Sequence, residues 1–224
     1  MTDTAAPTPA RRSNATLAAF AASCLPYAAL GLPVYVTLPE FYASHVGVPL
    51  AAVSLIFLLV RLADIVVDPL LGVVIDRTST QWGRYRVWMG IGAPILMLSV
   101  AMLFFVSQGA GATHLAVWLV IMYLGYSISL LSQMSWASVL STDYDQRSRI
   151  YGWWQVANII GVLAVLLIPV VVQAMGRTYV QAVQIQGGFI VGLLPVALLI
   201  TFLFTPEPRN VARLPTAAWA RPWP

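Results

Sequence analysis

Residues 50–75 read LAAVSLIFLLVRLADIVVDPLLGVVI, a run of mostly apolar residues that contains three charged side chains. A run of about twenty or more apolar residues is what an α-helix needs to cross the hydrocarbon core of a membrane. Because successive helical residues are rotated by about 100°, Arg61, Asp64 and Asp68 fall within an arc of about 60° and share one helix face.

The charged face of this helix is costly to place against lipid. Insertion scales put each such charge at about 2.5 to 3.5 kcal/mol at the bilayer centre, so the face is expected to line a protein interior or an aqueous cavity. One arginine and two aspartates leave one negative charge in excess, which a proton or a monovalent cation from water can neutralise. The pattern therefore predicts a cation-coupling site at Asp64 and Asp68.

The composition is that of a membrane protein. Hydrophobic residues make up 59% of the chain and charged residues 9%, far below the roughly 25% of soluble domains. The net charge of +4 comes entirely from arginine and is concentrated between apolar runs, so nucleic acid is not an expected partner. The single cysteine and the two histidines have no metal-ligand spacing, and no nucleophile or acid–histidine set indicates an enzyme. No cofactor is predicted, and no metal beyond a coupling cation.

Six apolar runs predict six transmembrane helices and an all-α fold. Ten arginines lie in the breaks on one side of these runs and only Arg177 lies on the other, which places both termini in the cytoplasm by the positive-inside rule. We expect a disordered cytoplasmic tail at 1–16, a six-helix bundle at 17–205, and the start of an inter-domain connector or an aberrant tail at 206–224. The predicted spans are 17–39, 50–75, 87–107, 114–141, 150–174 and 182–204.

The break after the second span combines an acid at a helix end, a glycine and two closely spaced arginines. Such a set can form a cytoplasmic charge network that holds two helices in one state and releases them in another. The alternative is that the arginines serve topology alone. The candidate gate residues are Asp76, Arg77, Gly83 and Arg84.

Several sequence patterns occur here in a specific order. The chain combines an intramembrane R-x-x-D-x-x-x-D-P-x-x-G pattern at 61–72 with D-R-T at 76–78 and W-G-R-x-R at 82–86. In order and spacing these motifs resemble the signature of the glycoside-pentoside-hexuronide:cation symporters, the melibiose-permease-like branch of the major facilitator superfamily. The resemblance covers essentially the whole chain but only the N-terminal six-helix half of that family's protein. A second block agrees with the family's fourth helix and following charged loop, namely Trp136 with Asp143, Asp145, Arg147 and Arg149.

The resemblance implies roles for individual residues in cation binding and gating. The two aspartates of the second helix, Asp64 and Asp68, are the ligands of the coupling Na⁺, Li⁺ or H⁺ in such relatives. Ser129 stands near the position of a threonine at the cation. Arg147 and Arg149 extend the cytoplasmic gate.

The resemblance also implies a sugar site, with two departures. Arg61 and Trp136 correspond to residues that contact or shape this site, and Ser132 stands where melibiose-type carriers have an aspartate for sugar hydroxyls. Serine can donate and accept hydrogen bonds but cannot supply a charge-assisted pair. The sugar-binding aspartate of the first helix has no counterpart, so galactoside recognition is not expected, whereas the cation half of the site is complete.

The predicted function is cation-coupled symport of a sugar or a related small polar solute by alternating access, in the inner membrane. Neutralising Asp64 and Asp68 with a cation lowers the cost of closing the cavity over them, which couples the ion to the solute. The expected partners are a sugar or glycoside, the lipid bilayer, and a second six-helix half or a second copy of the chain. The alternatives are a truncated, non-functional fragment and a non-transport membrane scaffold, although a scaffold does not need the charged face.

Overall fold

The first span is broken into short pieces, whereas the five that follow are continuous helices. The computed structural model describes residues 13–78, 80, 83–107, 109–141 and 143–206. Its helices are α1 (Asn14–Ala22), α2 (Cys24–Leu32), α3 (Leu38–Phe41), α4 (Leu50–Arg77), α5 (Tyr85–Phe104), α6 (Ala112–Leu140), α7 (Tyr144–Ala174) and α8 (Tyr179–Phe204), with π-helical turns at Pro33–Thr37 and Tyr42–Val46.

The predicted all-α membrane fold is confirmed. The helices α4 to α8 are each long and apolar enough to cross a membrane, and α1 with the helical stretch 24–46 forms a sixth span bent by 40°. No strand occurs in the part of the chain that the structure describes. The side of the membrane that each end faces stays a prediction.

The first span is longer at both ends than its predicted limits of 17 and 39. It begins earlier because the hydroxyl of Ser13 accepts a hydrogen bond from the Thr16 amide at 3.2 Å and caps α1. It continues past Pro39 because this proline lies in the first turn of α3, where the missing N–H is dispensable. It ends at Gly47, whose φ of 90° suits a left-handed helix terminus. Of the predicted tails, 1–12 and 207–224 lie outside the described residues.

Glycines set two of the main helix crossings. A Cβ atom on Gly125 of α6 would lie 2.9 Å from the backbone nitrogen of Leu96 in α5. A Cβ atom on Gly161 of α7 would lie 2.4 Å from the carbonyl oxygen of Leu25 in α2. Both helix pairs therefore pack backbone against backbone, as small residues permit in membrane proteins.

Helix α4 lies at the edge of the bundle and packs along one side against α6. Only Val53, Val60, Asp64 and Ile75 are buried among its 28 residues. The remaining surface of α4 is largely exposed and apolar, which suits lipid or another protein surface. Asp64 is thus the one charged residue of α4 that is buried, and Asp68, one turn further along, is partly buried.

Candidate cation and solute site

Asp64 lies at the centre of the site, near the middle of α4. Its carboxylate accepts a hydrogen bond from Arg61 Nη1 to Oδ2 at 2.8 Å, and the two side chains form an ion pair. The hydroxyl of Ser127 in α6 donates to Oδ1 at 3.1 Å. Asp64 is only 8% exposed, whereas the Arg61 side chain is 57% exposed. A buried carboxylate is thus held by one charged and one neutral donor, and its charged partner lies at the surface of the bundle.

Asp68 lies one helical turn further along α4 and is partly buried. Its Oδ1 atom is buried and has no hydrogen-bond partner among the described residues. The carboxylates of Asp64 and Asp68 repel each other. A buried carboxylate oxygen without a donor is costly, so this atom is an unsatisfied acceptor beside Asp64.

A small cleft opens beside Asp64 between α4 and α6. Its volume is about 80 Å³, and Val60, Val67 and Tyr123 are among the residues that line it. This volume is large enough for a water-sized ligand, although most of the lining residues are apolar. It is far below the roughly 300 Å³ or more of small-molecule pockets, so a sugar does not fit into the cleft itself.

Two tyrosines that the sequence analysis did not single out border the same site. Tyr35 is 53% exposed and Tyr123 is 6% exposed. Both lie close enough to the Arg61 guanidinium to interact with it electrostatically. The hydroxyl groups of the two tyrosines lie near each other. A signal for part of this set was present in the sequence, because Tyr123 and Ser127 are four residues apart and share one face of α6.

The structure does not bring Ser129 to the cation site. Ser129 Oγ points at α5 instead, where a Cβ atom on Gly92 would lie 2.4 Å from it. Positions 127 and 129 of a helix are rotated by about 200° from each other, so only one of these serines can face α4. Ser127 takes the position beside Asp64 that the sequence analysis assigned to Ser129.

Ser132 and Trp136 are also away from any surface that a solute could reach. The Ser132 hydroxyl donates to the carbonyl of Ile128 at 2.7 Å within α6, and both Ser132 and Trp136 are 0% exposed. The Trp136 ring packs edge-on against Phe20 at a centroid distance of 5.6 Å, and the Arg86 guanidinium lies 5.5 Å from its centroid. This enclosure makes Trp136 a packing residue among the described residues, where it offers no exposed surface to a sugar.

The candidate gate residues lie at the end of the bundle where α1 begins and α8 ends. Asp76, Arg77 and Arg147 are exposed, and Gly83 adopts a φ of 100° that favours glycine. The backbone of the turn is held by Arg84 Nε, which donates to the Thr78 carbonyl at 2.8 Å. Arg149 donates to the side-chain oxygen of Asn14.

These hydrogen bonds join arginine to neutral oxygens. Two such bonds link separate elements, one from Arg149 in α7 to Asn14 in α1 and one from Arg86 in α5 to the Thr205 carbonyl at the end of α8. Arginine near the last carbonyls of a helix is also favoured by the helix dipole. A role for this cluster as a gate stays a prediction, and residues 79, 81 and 82 of the loop lie outside the described residues.

Comparison with known proteins establishes the family. A family model for MFS/sugar transport protein matches residues 19–224. The chain belongs to this family. It is therefore a multi-pass inner-membrane protein of the major facilitator superfamily, a group of transporters rather than enzymes, and the resemblance drawn from the motifs of α4 is confirmed.

Individual members of the family are similar over much of this chain. The inner membrane symporter YicJ of Escherichia coli K12 is 25% identical over 185 residues, which cover 81% of this chain and 40% of that protein. The lactose permease of Lactobacillus helveticus is 28% identical over 176 residues, which cover 70% of this chain and 27% of that protein. The isoprimeverose transporter of Lactiplantibacillus pentosus is 26% identical over 171 residues, covering 73% and 35%. The chain thus spans less than half the length of these relatives.

Proposed function

We propose that this chain is the cation-binding six-helix half of a sugar symporter. The observation that carries the proposal is the pair of carboxylates on α4, where Asp64 is held by Arg61 and Ser127 and a buried oxygen of Asp68 lacks a donor among the described residues. Such groups are expensive inside a membrane, and their presence there is typical of ion pathways. Names of relatives such as symporter and lactose permease are consistent with this function.

The proposed cation ligands are oxygens of Asp64, Asp68 and Ser127. Hard cations take carboxylate and hydroxyl oxygens as ligands, and the small cleft beside Asp64 gives room for an ion but not for a sugar. Na⁺, Li⁺ and H⁺ all fit this donor set. A protonated carboxyl group is a poor ligand, so Na⁺ affinity is expected to fall as the pH is lowered.

The proposed solute surface is the patch formed by the exposed Tyr35 and Arg61 and bordered by the buried Tyr123. A tyrosine ring offers an apolar face for a sugar ring and a hydroxyl for its polar edge, and the guanidinium of Arg61 adds hydrogen-bond donors. This patch is open on one side, so we propose that a second six-helix half or a second copy of the chain completes the solute site. Ser132 and Trp136 are not part of it.

The cation and the solute are coupled through closure of this surface. An excess negative charge on α4 opposes burial, because taking an unpaired charge out of water is costly. A bound cation removes that charge and so favours the state in which the patch is covered. Reversal of the closure on the other side of the membrane would release both ligands, which is alternating access.

Cation binding to the purified chain in lipid nanodiscs tests the proposal. Calorimetric titration with NaCl and LiCl, with choline chloride to fix the ionic strength, is expected to show saturable binding. Asp68→Asn is expected to weaken it beyond detection, whereas Asp145→Asn, which removes an exposed acid at the start of α7, leaves it unchanged. The proposal is wrong if the wild-type chain binds neither cation, or if Asp68→Asn binds as tightly as wild type.

The particle mass in mild detergent tests the completion of the solute site. We expect sugar-dependent changes in tryptophan fluorescence only from particles that contain two copies or an added second half. A strictly monomeric particle that binds a sugar with the cation would contradict the need for a second half.

A further inference from the structure

The two carboxylates of the proposed cation site have different surroundings. Asp64 has both oxygens engaged, one by Arg61 Nη1 at 2.8 Å and one by Ser127 Oγ at 3.1 Å. Asp68 Oδ1 is buried and has no such donor among the described residues. One carboxylate is therefore already paired with a positive charge of the chain itself, and the other carries the excess negative charge.

A cation shared by the two carboxylates would compete with Arg61 for Asp64. The cation and the guanidinium are both positive, and both need lone pairs of the Asp64 carboxylate, either on Oδ2 or on Oδ1. Because like charges a few ångströms apart repel strongly where water is partly excluded, an ion pair between Arg61 and Asp64 weakens cation binding, and a bound cation weakens the ion pair.

Arg61 can leave Asp64 without a movement of any helix. Its side chain is 57% exposed, and its ion pair with Asp64 is local, three residues apart on α4. The hydroxyl groups of Tyr35 and Tyr123 lie close enough to the guanidinium to interact with it electrostatically, and their oxygens can accept hydrogen bonds from it. The hydrogen bond from Ser127 of α6 goes to the other carboxylate oxygen, Oδ1, and does not involve Arg61.

We propose that Arg61 is a tethered competitor of the coupling cation at Asp64. The inference rests on the proposed function and adds a regulation to the same site. When the cation binds, it displaces the guanidinium from Asp64 toward Tyr35 and Tyr123, where it becomes available to a solute. When the cation leaves, Arg61 returns to Asp64 and withdraws from the solute. Ion and solute are then coupled by one side chain that serves two sites in turn.

This arrangement predicts an order of binding. A solute that needs the Arg61 donors binds well only after a cation has freed them. By linkage, the solute in turn strengthens cation binding, because it holds Arg61 away from Asp64.

Cation titration of an Arg61 variant tests the competition. In nanodiscs at pH 8.5, chosen to limit competition by protons, Arg61→Gln is expected to bind Na⁺ at least tenfold more tightly than wild type. Arg61→Lys keeps the positive charge and is expected to stay within about threefold of wild type, since one tethered cation replaces another. Arg177→Gln removes an exposed arginine from the loop between α7 and α8 and is expected to change nothing, which controls for net charge.

The outcomes separate this inference from the proposed function. If wild type binds Na⁺, Asp68→Asn does not, and Arg61→Gln binds no more tightly than wild type, the competition is refuted and the cation site stands. If neither wild type nor Arg61→Gln binds any cation while both remain folded by circular dichroism, the cation site and the competition fall together. Tighter binding in Arg177→Gln as well would also refute the inference, because the effect would then be one of overall charge.

Discussion

Two arginines of this chain lie beside aromatic rings in opposite settings. Arg61, in the middle of α4, is 57% exposed and pairs with the buried Asp64 at 2.8 Å. Arg86, at the start of α5, lies over Trp136, which has no exposed surface, and donates to the Thr205 carbonyl at the end of α8. The sequence motifs and the family resemblance predict functional roles for both regions, but the two regions differ in burial. The region around Arg61 is accessible to a ligand, whereas the region around Arg86 and Trp136, here called the sealed joint, is a contact between helices that is closed to ligands.

Removing the ring at the sealed joint should have the largest effect, and it should act on stability. Trp136→Ala empties a site enclosed by Phe20 and Phe202, and truncation of a buried aromatic residue costs about 3–5 kcal/mol. We expect a large fall in Tm in detergent and no change in the cation affinity of the folded fraction. Trp153→Ala, at an exposed site on α7, is the matched control and should change Tm little. Loss of cation binding from Trp136→Ala without a fall in Tm would show that Trp136 acts on the cation site rather than on packing.

The opposite outcome is expected at the accessible site. Asp64→Asn removes the partner of Arg61 and a charged ligand of the cation, so we expect Na⁺ affinity to fall by at least about a hundredfold, which corresponds to about 2.7 kcal/mol. The Tm should change little, because the amide keeps nearly the same shape and can still accept from Ser127. Calorimetric titration beside thermal unfolding measures both quantities. A large fall in Tm with unchanged affinity would make Asp64 a structural residue.

Arg86→Gln should weaken the joint by less than the loss of Trp136 does. It removes the cation–π contact with Trp136 and the hydrogen bond to the Thr205 carbonyl, which together are worth about 1.5–3 kcal/mol. The expected result is a moderate fall in Tm, with Arg147→Gln, an exposed arginine at the same end of the bundle, as the control. Equal values of Tm for the two variants would show that Arg86 contributes no more than a surface charge.

The smallest effect should distinguish the two serines of α6. Ser127→Ala removes one neutral hydrogen bond to Asp64 and one cation ligand, so we expect Na⁺ affinity to fall by about three- to tenfold, near 1 kcal/mol. Ser129→Ala should leave the affinity unchanged, because Ser129 faces Gly92 in α5. If Ser129→Ala has the larger effect, the rotation of α6 relative to α4 is different in the cation-bound protein.

Hydropathy located the spans because a helix that crosses the membrane needs a minimum length of apolar sequence. The five continuous helices were found this way within a few residues at most ends. The first span was not, because Pro33 and Pro39 indicate helix ends in sequence, whereas in the structure they open new turns within one helical stretch that continues to Val46. A proline lacks a backbone N–H donor, but whether the helix ends there depends on the hydrogen bonds of the surrounding turns.

The part of the site that lies on one helix could be predicted, and the part that joins two helices could not. Arg61 and Asp64 meet because of the period of α4 alone. The choice of Ser127 over Ser129 depends on how α6 is rotated against α4, which no local pattern contains. The burial of Trp136 likewise depends on contacts with Phe20 and Arg86, which are distant in sequence.

The local ion pair on α4 also has a consequence for how the protein enters the bilayer. Arg61 and Asp64 are three residues apart, so they can meet as soon as this helix forms, before α6 has been synthesised. Opposite charges that neutralise each other inside a single segment reduce the energy of its passage from the translocon into lipid, where each lone charge costs about 2.5 to 3.5 kcal/mol. The local ion pair therefore lowers the energetic cost of inserting this helix, and insertion does not depend on the hydrogen bond that Ser127 of α6 adds.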